Sequence, residues 1–128
     1  MNLRQNNSKQ TVHAPAKLNL FLEVLDRRGD GYHELATLMV PIRLYDSISF
    51  EPVPARNGRP ATIEFSLRGG GSADGVPADS SNLVVRALEL FRRRSGCDWG
   101  AKVELVKRIP SAAGLGGGSS DEIGRAHV

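Results

Sequence analysis

The sequence contains little cysteine, few aromatic residues and no long apolar run. Its single cysteine, Cys97, excludes a disulfide within the chain and favours a reducing compartment, which we take to be the cytoplasm. No segment approaches the roughly twenty apolar residues that a membrane-spanning helix needs. Residues 1–10 are polar and lack the apolar region of a signal peptide. We therefore expect a disordered leader there and no membrane partner.

The charge of the chain is mildly positive, at +3. Three arginines at 92–94 account for much of it, and they lie at the end of an expected helix, where cations suit the helix dipole. No aromatic residue lies among them, so the pattern of a nucleic-acid-binding surface is missing and we expect no nucleic-acid partner. A length of 128 residues corresponds to about one domain.

The alternation of apolar and polar residues predicts a sheet. Strands are expected at residues 11–25, 46–53, 62–67 and 101–107, with a further extended run at 35–44. Pro41 interrupts that run and suits the edge of a sheet or a bend. Residues 26–31 indicate a tight turn. The glycine- and proline-rich residues 52–60 and 68–78 predict loops, the second of them partly disordered.

A helix is expected after residue 82. Residues 79–82 offer several helix N-caps, and Gly96 supplies the stop. Apolar residues recur at helical spacing on one side of this helix: Leu83, Ala87, Leu90 and Phe91, with Val84 and Leu88 beside them. The order of elements predicts an α+β fold, in which a mixed sheet carries helices on one face.

The glycine-rich segment, residues 110–120, reads Pro-Ser-Ala-Ala-Gly-Leu-Gly-Gly-Gly-Ser-Ser and follows the last expected strand. A glycine-rich turn between a strand and the start of a helix directs several backbone N–H groups to one point, which suits a phosphate. It is not a P-loop, because Gly118 stands where lysine would precede Ser119. It is not the dinucleotide fingerprint either, because Ser119 occupies the last glycine position.

A flexible linker is the simpler interpretation of these glycines. Three features argue against it. Pro110 ends the strand, Leu115 is apolar in the midst of the glycines, and Ser119 with Glu122 fits a helix capping box. We therefore predict a phosphate-binding segment.

Three segments together resemble the GHMP kinase superfamily. They are Ala-Pro-Ala-Lys-Leu-Asn-Leu at 14–20 with Gly-Tyr-His at 31–33, Asn-Leu-Val-Val-Arg-Ala at 82–87, and residues 110–121. The glycines alone are similar to the whole superfamily. The first segment resembles the branch that phosphorylates 4-diphosphocytidyl-2-C-methyl-D-erythritol, rather than homoserine, mevalonate or galactose kinases.

The resemblance implies the GHMP kinase amino-terminal domain, a fold like domain 2 of ribosomal protein S5, over residues 11–121. It implies transfer of the γ-phosphoryl group of ATP, with Mg²⁺, to the 2-hydroxyl of that small cytidine-diphosphate substrate in the non-mevalonate isoprenoid pathway. Lys17 would be the catalytic lysine, with Asn19 near the transfer site. Tyr32 and His33 would recognise cytosine, one by stacking and one by hydrogen bonding.

The resemblance also implies an ATP site. Asn82 would lie near adenine, and Ser119 or Ser120 would reach Mg²⁺, with Ser120 preferred. The phosphates would be wrapped by Pro110, Ser111, Ala112, Ala113, Gly114, Leu115, Gly116, Gly117, Gly118, Ser119 and Ser120.

The chemistry of these residue types is consistent with phosphoryl transfer, where a protein mainly positions groups and stabilises charge. The Lys17 ammonium can offset charge on the phosphoryl oxygens, and Asn19 shares its strand face. Simpler interpretations exist for each residue. Lys17 could be a solvated strand residue, Tyr32 and His33 surface residues, and Asn82 only a helix cap.

The tail at 122–128 departs from the superfamily pattern. Glu122 stands where a small residue is expected, and Gly124 weakens a short helix by about 1 kcal/mol relative to alanine. The resemblance places a catalytic aspartate and a third glycine-rich stretch in a carboxy-terminal domain, which we take to be absent here. We therefore expect a truncated domain with exposed apolar surface and no turnover on its own. The alternatives are another GHMP small-molecule kinase or a non-catalytic nucleotide-binding module; an RNA-binding domain lacks a stacking motif.

Overall fold

The computed structural model describes residues 8–111. In chain order its elements are β1 (Gln10–Arg27), β2 (His33–Val53), β3 (Ile63–Arg68), a 3₁₀ helix (Gly70–Ala73), α1 (Leu83–Ser95) and β4 (Gly100–Val106). The four strands form one sheet in the order β1-β2-β4-β3. No helix within the described range is long and apolar enough to cross a bilayer.

The sheet is mixed. β2 pairs antiparallel with both β1 and β4, whereas β3 and β4 are parallel neighbours. Parallel neighbours need a crossover connection, and α1 provides it between β3 and β4. The predicted α+β fold with a mixed sheet is confirmed, with α1 as the α-helix of the described part.

β2 joins two runs that the sequence analysis separated, residues 35–44 and 46–53, into one strand. Pro41 lies inside it and pairs with Lys17 of β1. β4 pairs only with residues 47–53 of β2, so at Pro41 the strand has a partner on one side only. That is the position in a sheet where a residue without an N–H group is tolerated, as predicted.

The core lies between α1 and the half of the sheet formed by β2, β3 and β4. Its buried cluster consists of Ile48, Phe50, Val84, Val103 and Leu105. Ala14 and Ala16 of β1 are also fully buried. The alternate apolar residues of β2 and β4 therefore face the core, as their spacing predicts.

Only part of the apolar set predicted for α1 packs against the sheet. Val84 and Val85 are buried, whereas the predicted Leu83, Leu90 and Phe91 are 45%, 43% and 61% exposed. Apolar residues cover two adjoining sides of this helix, and the sheet takes the side that carries the valines. Periodicity detects an apolar side but does not select between two of them.

The arm, residues 18–44, is the far part of the β1–β2 hairpin, and none of its residues is buried. Its turn is closed by an ion pair of Arg28 with Asp30 at 3.2 Å and by the Tyr32 amide, which donates to Asp30 Oδ1 at 3.1 Å. Large apolar side chains along the arm are exposed, such as Leu22 and Val24 at 55% and 58%. The predicted exposed apolar surface is therefore present on the arm.

Residues 68–78 were predicted to form a partly disordered loop. The structure instead places the 3₁₀ helix Gly70–Ala73 there. Gly69 before it has a φ of 141°, and a Cβ at this position would lie 2.3 Å from the carbonyl oxygen of Lys107. Glycine is therefore required for this segment to lie against the chain that leaves β4.

Candidate functional site

The loop base, residues 107–111, connects β4 to the glycines. Its first backbone amide, that of Lys107, donates to the Arg68 carbonyl at 2.8 Å and so extends the contact with β3. Pro110 and Ser111 of the glycine-rich segment lie in this part of the structure, and both are exposed. The predicted residues 112–120 lie outside the described range.

Asp46 of β2 holds the loop base from one side. Its Oδ1 accepts from the backbone amides of Arg108 at 2.6 Å and Ile109 at 2.9 Å, and its Oδ2 accepts from the Lys107 ammonium. Asp46 is 0% exposed and Lys107 only 4% exposed as side chains. A buried carboxylate is tolerated when it is paired and hydrogen-bonded in this way, and such charge-assisted bonds are the strong ones.

The 3₁₀ helix holds the loop base from a second direction. Ser72 Oγ donates to the Arg108 carbonyl at 3.3 Å, and Ser111 Oγ donates to the Ser72 carbonyl at 3.3 Å. With Gly69 against Lys107, these bonds bring residues 69–72 along the loop base. The start of the glycine-rich segment is therefore fixed from β2 and from the segment after β3.

Lys17, the predicted catalytic residue, lies on β1, which β2 separates from β4 and the loop base. Ala14 is the register partner of Asp46, and Lys17 follows it by three residues, roughly 10 Å of extended chain. Lys17 is half-buried, and its strand neighbour Ala16 is buried on the opposite face. The side chain therefore belongs to the face of the sheet that α1 does not cover.

That open face also carries a hydrogen-bonded polar group, at the register position of His13 and Ser47, four residues before Lys17 on β1. Ser47 Oγ accepts from Arg108 Nη1 at 2.7 Å and bonds His13 Nδ1 at 3.1 Å. Arg108 Nη1 also contacts the Tyr45 carbonyl at 3.5 Å, and Tyr45 pairs with Pro15 of β1. The Arg108 guanidinium thus lies on the open face beside the part of β1 that leads to Lys17.

Asn19 follows Lys17 on the same face, because the register runs without a shift from residue 17 to residue 19. It is exposed, and its Oδ1 lies 3.5 Å from the Thr37 hydroxyl of β2. The bulge comes directly after it, between Asn19 and Phe21. The structure therefore brings Lys17 and Asn19 together on one surface.

Tyr32 and His33 lie at the far end of the arm. Tyr32 is 73% exposed in the turn, and His33 opens β2 opposite Arg27. Pro41, the register partner of Lys17, lies eight residues after His33 on β2, which is roughly 26 Å along an extended strand. The structure does not gather these two residues around Lys17, and a ligand that contacts both regions would lie along the arm.

Asn82 is the N-cap of α1, as the sequence predicts for this region. Its Oδ1 accepts from the Val84 amide at 2.9 Å, and its Nδ2 donates to the Pro77 carbonyl at 2.8 Å. The residue is 5% exposed. These two hydrogen bonds hold Asn82 at the start of α1. The second hydrogen of its side-chain amide is left for other contacts. Nearby, hydrogen bonds from the Ser81 hydroxyl and amide lower the pKa of Asp79.

Sequence reasoning missed Asp46, Lys107 and Ser72. A signal for the first two was present in the alternation of the strands. Asp46 has the same parity as Ile48, which faces the core, and Lys107 has the same parity as Leu105. Opposite charges on two core-facing positions predict a buried pair. No comparable signal marks Ser72, whose contact depends on the 3₁₀ helix.

Comparison with known proteins identifies relatives of this chain. A family model described as the GHMP kinases N terminal domain matches residues 82–127. A 4-diphosphocytidyl-2-C-methyl-D-erythritol kinase from Prochlorococcus marinus is 52% identical over 112 residues, covering 87% of this chain and 32% of the relative. The chloroplastic kinase of the same name from Mentha piperita is 41% identical over 115 residues, covering 89% of this chain and 26% of the relative. The chain thus spans about a third or less of the length of these two relatives.

Two solved structures are similar as well. A crystal structure of 4-(cytidine 5'-diphospho)-2C-methyl-D-erythritol kinase matches with a TM-score of 0.67 and 42% identity, covering 88% of this chain and 37% of that one. Homoserine kinase from Cytophaga hutchinsonii matches with a TM-score of 0.63 at 16% identity, covering all of this chain and 36% of that one. The second likeness concerns the fold alone.

Proposed function

The chain belongs to the GHMP kinase family, and we propose that it forms part of an enzyme that phosphorylates the 2-hydroxyl of 4-diphosphocytidyl-2-C-methyl-D-erythritol with ATP. The observation that carries this proposal is the strand register. It sets Lys17 three residues from the partner of Asp46, whose carboxylate binds the loop base. The names of the relatives support the choice of substrate.

The chemistry at this point of the sheet suits phosphoryl transfer. Lys17 carries a compact positive charge on the open face, and the chain that leads to the glycines begins on the same part of the sheet. A lysine next to a bound hydroxyl can stabilise its deprotonated form and offset charge on the transferred group. Asn19 on the same surface would orient that hydroxyl.

The substrate would extend along the arm. Tyr32 offers an exposed ring and His33 a hydrogen-bonding side chain at its far end. An aromatic face and a polar edge are what recognition of a pyrimidine base requires. In this proposal the two residues bind the cytosine, and Lys17 and Asn19 lie at the other end of the ligand.

ATP would bind at the glycine-rich segment, with residues 112–120 around the phosphates and Asn82 near the adenine. Within residues 8–111 no three His, Cys, Asp or Glu side chains are grouped to hold a metal. We propose that Mg²⁺ enters as part of MgATP, held mainly by the phosphates, with Ser120 as its protein contact. The single cysteine supports a cytoplasmic location for the enzyme.

The test is a chimera in which residues 8–111 replace the matching segment of the solved 4-(cytidine 5'-diphospho)-2C-methyl-D-erythritol kinase. We expect this chimera to release ADP only when the diphosphocytidyl substrate is present. Lys17→Ala in the chimera should abolish turnover and leave ATP binding intact, which separates a kinase from a non-catalytic nucleotide-binding module. Lys9→Ala, an exposed lysine just before β1, is the matched control and should be active.

Unchanged turnover in the Lys17→Ala chimera would remove the proposed catalytic role. Turnover with another alcohol and none with the diphosphocytidyl compound would favour a different GHMP kinase. The 128-residue chain by itself should bind ATP but release no ADP, and clear turnover by it would contradict our expectation that a carboxy-terminal domain is needed.

A further inference from the structure

We propose that Asp46 is a positioning residue for the phosphate-binding segment: its carboxylate fixes the backbone of Arg108 and Ile109, and with it the point where the chain that leads to the glycines leaves the sheet. This inference rests on the proposed function, because ATP binding by the glycine-rich segment is part of that function. Asp46 itself is fully buried and would not touch ATP.

The geometry begins with the end of the β2–β4 ladder. The last pair is Ser47 with Val106, so Lys107 comes opposite Asp46. Beyond this point the backbone amides of Arg108 and Ile109 have left the ladder and need other acceptors. Asp46 Oδ1 accepts from both of them, at 2.6 Å and 2.9 Å. A side chain of β2 thus supplies the hydrogen-bond acceptor that the backbone of β2 no longer provides beyond the ladder.

The two oxygens of Asp46 have different tasks. Oδ1 takes the two amides, and Oδ2 takes the Lys107 ammonium. Buried ion pairs can often be replaced by apolar residues without loss of stability, so stability alone does not require a carboxylate here. An apolar residue could fill the space but could not accept from two successive amides. The particular contribution of Asp46 is the direction of the chain at 108–109.

Consecutive amides that share one acceptor are restricted to few backbone conformations. Ser72 restricts the same residues further, because its hydroxyl donates to the Arg108 carbonyl. Small displacements of binding groups weaken binding and catalysis strongly, so a supporting contact of this kind acts on ligand affinity without touching the ligand.

The experiment compares two double variants of the 128-residue chain that differ only in the acceptor at residue 46. Asp46→Asn/Lys107→Met keeps an oxygen in the Oδ1 position, whereas Asp46→Leu/Lys107→Met removes it. Neither variant leaves a buried charge without a partner, so both are expected to fold. Hydrogen exchange of the Arg108 and Ile109 amides is measured relative to Phe50 and Val103, and ATP affinity is measured by calorimetry.

We expect the leucine variant to show exchange at residues 108 and 109 that is about tenfold faster relative to the core amides, and an ATP dissociation constant raised about tenfold. The asparagine variant should show much smaller changes in both. A purely structural role would accelerate exchange throughout the sheet, and equal behaviour of the two variants in the relative exchange would overturn the proposal. If leucine overfills the site and the chain does not fold, Asp46→Ala/Lys107→Met takes its place.

The two proposals fail separately in this experiment. If neither the unchanged chain nor the chimera that carries its residues 8–111 binds ATP, the proposed function fails, and with it the role in phosphate binding. The exchange ratio still decides whether Asp46 fixes the loop base. If the unchanged chain binds ATP and the leucine variant binds it equally well, the positioning role is wrong while the proposed function stands.

Discussion

At the scale of single residues, Asp46 and Lys107 are the charged residues that the sheet buries within residues 8–111. Asp46 lies on β2 and Lys107 directly follows β4, and alternation assigns both positions to the core. A buried charge is stable only with its partner present, because the interior does not solvate it. Replacing either residue alone should therefore lower the free energy of unfolding more than replacing an exposed charged residue.

Lys107→Met tests this sensitivity. It leaves the Asp46 carboxylate buried with two amides but without its cation, and we expect the free energy of unfolding to fall by about 3–5 kcal/mol. Lys102→Met on β4 is the matched control, because Lys102 is exposed and such changes stay within roughly ±0.5 kcal/mol. Urea denaturation measures both. A loss of similar size in the two variants would show that the pair has no special weight.

The sequence predicted those residues whose structural role depends only on their neighbours along the chain, such as the residues at the two ends of α1. Asn82 caps α1, and Gly96 ends it in the left-handed conformation with a φ of 67°. It did not predict the Asp46–Lys107 pair, which joins residues 61 positions apart. The alternation held the signal, but a charged residue at a strand end is usually solvated, so only the register of β2 with β4 reveals the contact.

At the scale of elements, the strands and α1 were predicted with small errors at their ends, except that β2 was predicted as two separate runs; the 3₁₀ helix was not predicted. Residues 68–78 have a composition typical of a loop. Their regular structure depends on contact with the loop base. Gly69 is the position where this contact is closest. The face of α1 was also decided by tertiary packing, since two apolar sides were available.

Gly69→Ala should destabilise the chain more than Gly70→Ala. Both glycines have positive φ, at 141° and 52°, but a Cβ meets Lys107 at residue 69 and open space at residue 70. We expect about 1–2 kcal/mol for Gly70→Ala from conformational strain alone, and at least 1–3 kcal/mol more for Gly69→Ala from the steric overlap. Thermal unfolding of the two variants measures the difference. Equal melting temperatures would mean that the 3₁₀ helix moves away without cost.

At the scale of the whole molecule, the structure divides into a packed part and the arm. The packed part holds the core cluster, whereas the arm exposes apolar residues on a two-stranded hairpin. Hairpins of this kind are marginal in water unless another surface covers them. Exposed apolar surface is predicted from the resemblance. Its location on the arm follows from the structure, because alternation alone does not show whether a strand is covered.

We expect the 128-residue chain to self-associate through the arm. Leu22→Gln/Val24→Gln should reduce the association without a large loss of unfolding free energy, because both side chains are more than half exposed. Sedimentation velocity measures the change. Leu88→Gln, which alters a residue packed against the core, is the contrasting control and should lower stability. If the unchanged chain is a monomer with a sharp cooperative melt, the arm does not mediate self-association.

The hydrogen bonds from β2 to Arg108, just after β4, have one more consequence. Asp46 reaches Arg108 from the face that α1 covers, through the backbone amide, and Ser47 reaches it from the opposite face, through the guanidinium. Successive residues of one strand thus hold a single residue from above and below the sheet. The chain at Arg108 is therefore restrained in its rotation about the chain axis as well as in its position, so the peptide planes of the loop base keep a defined orientation relative to the sheet.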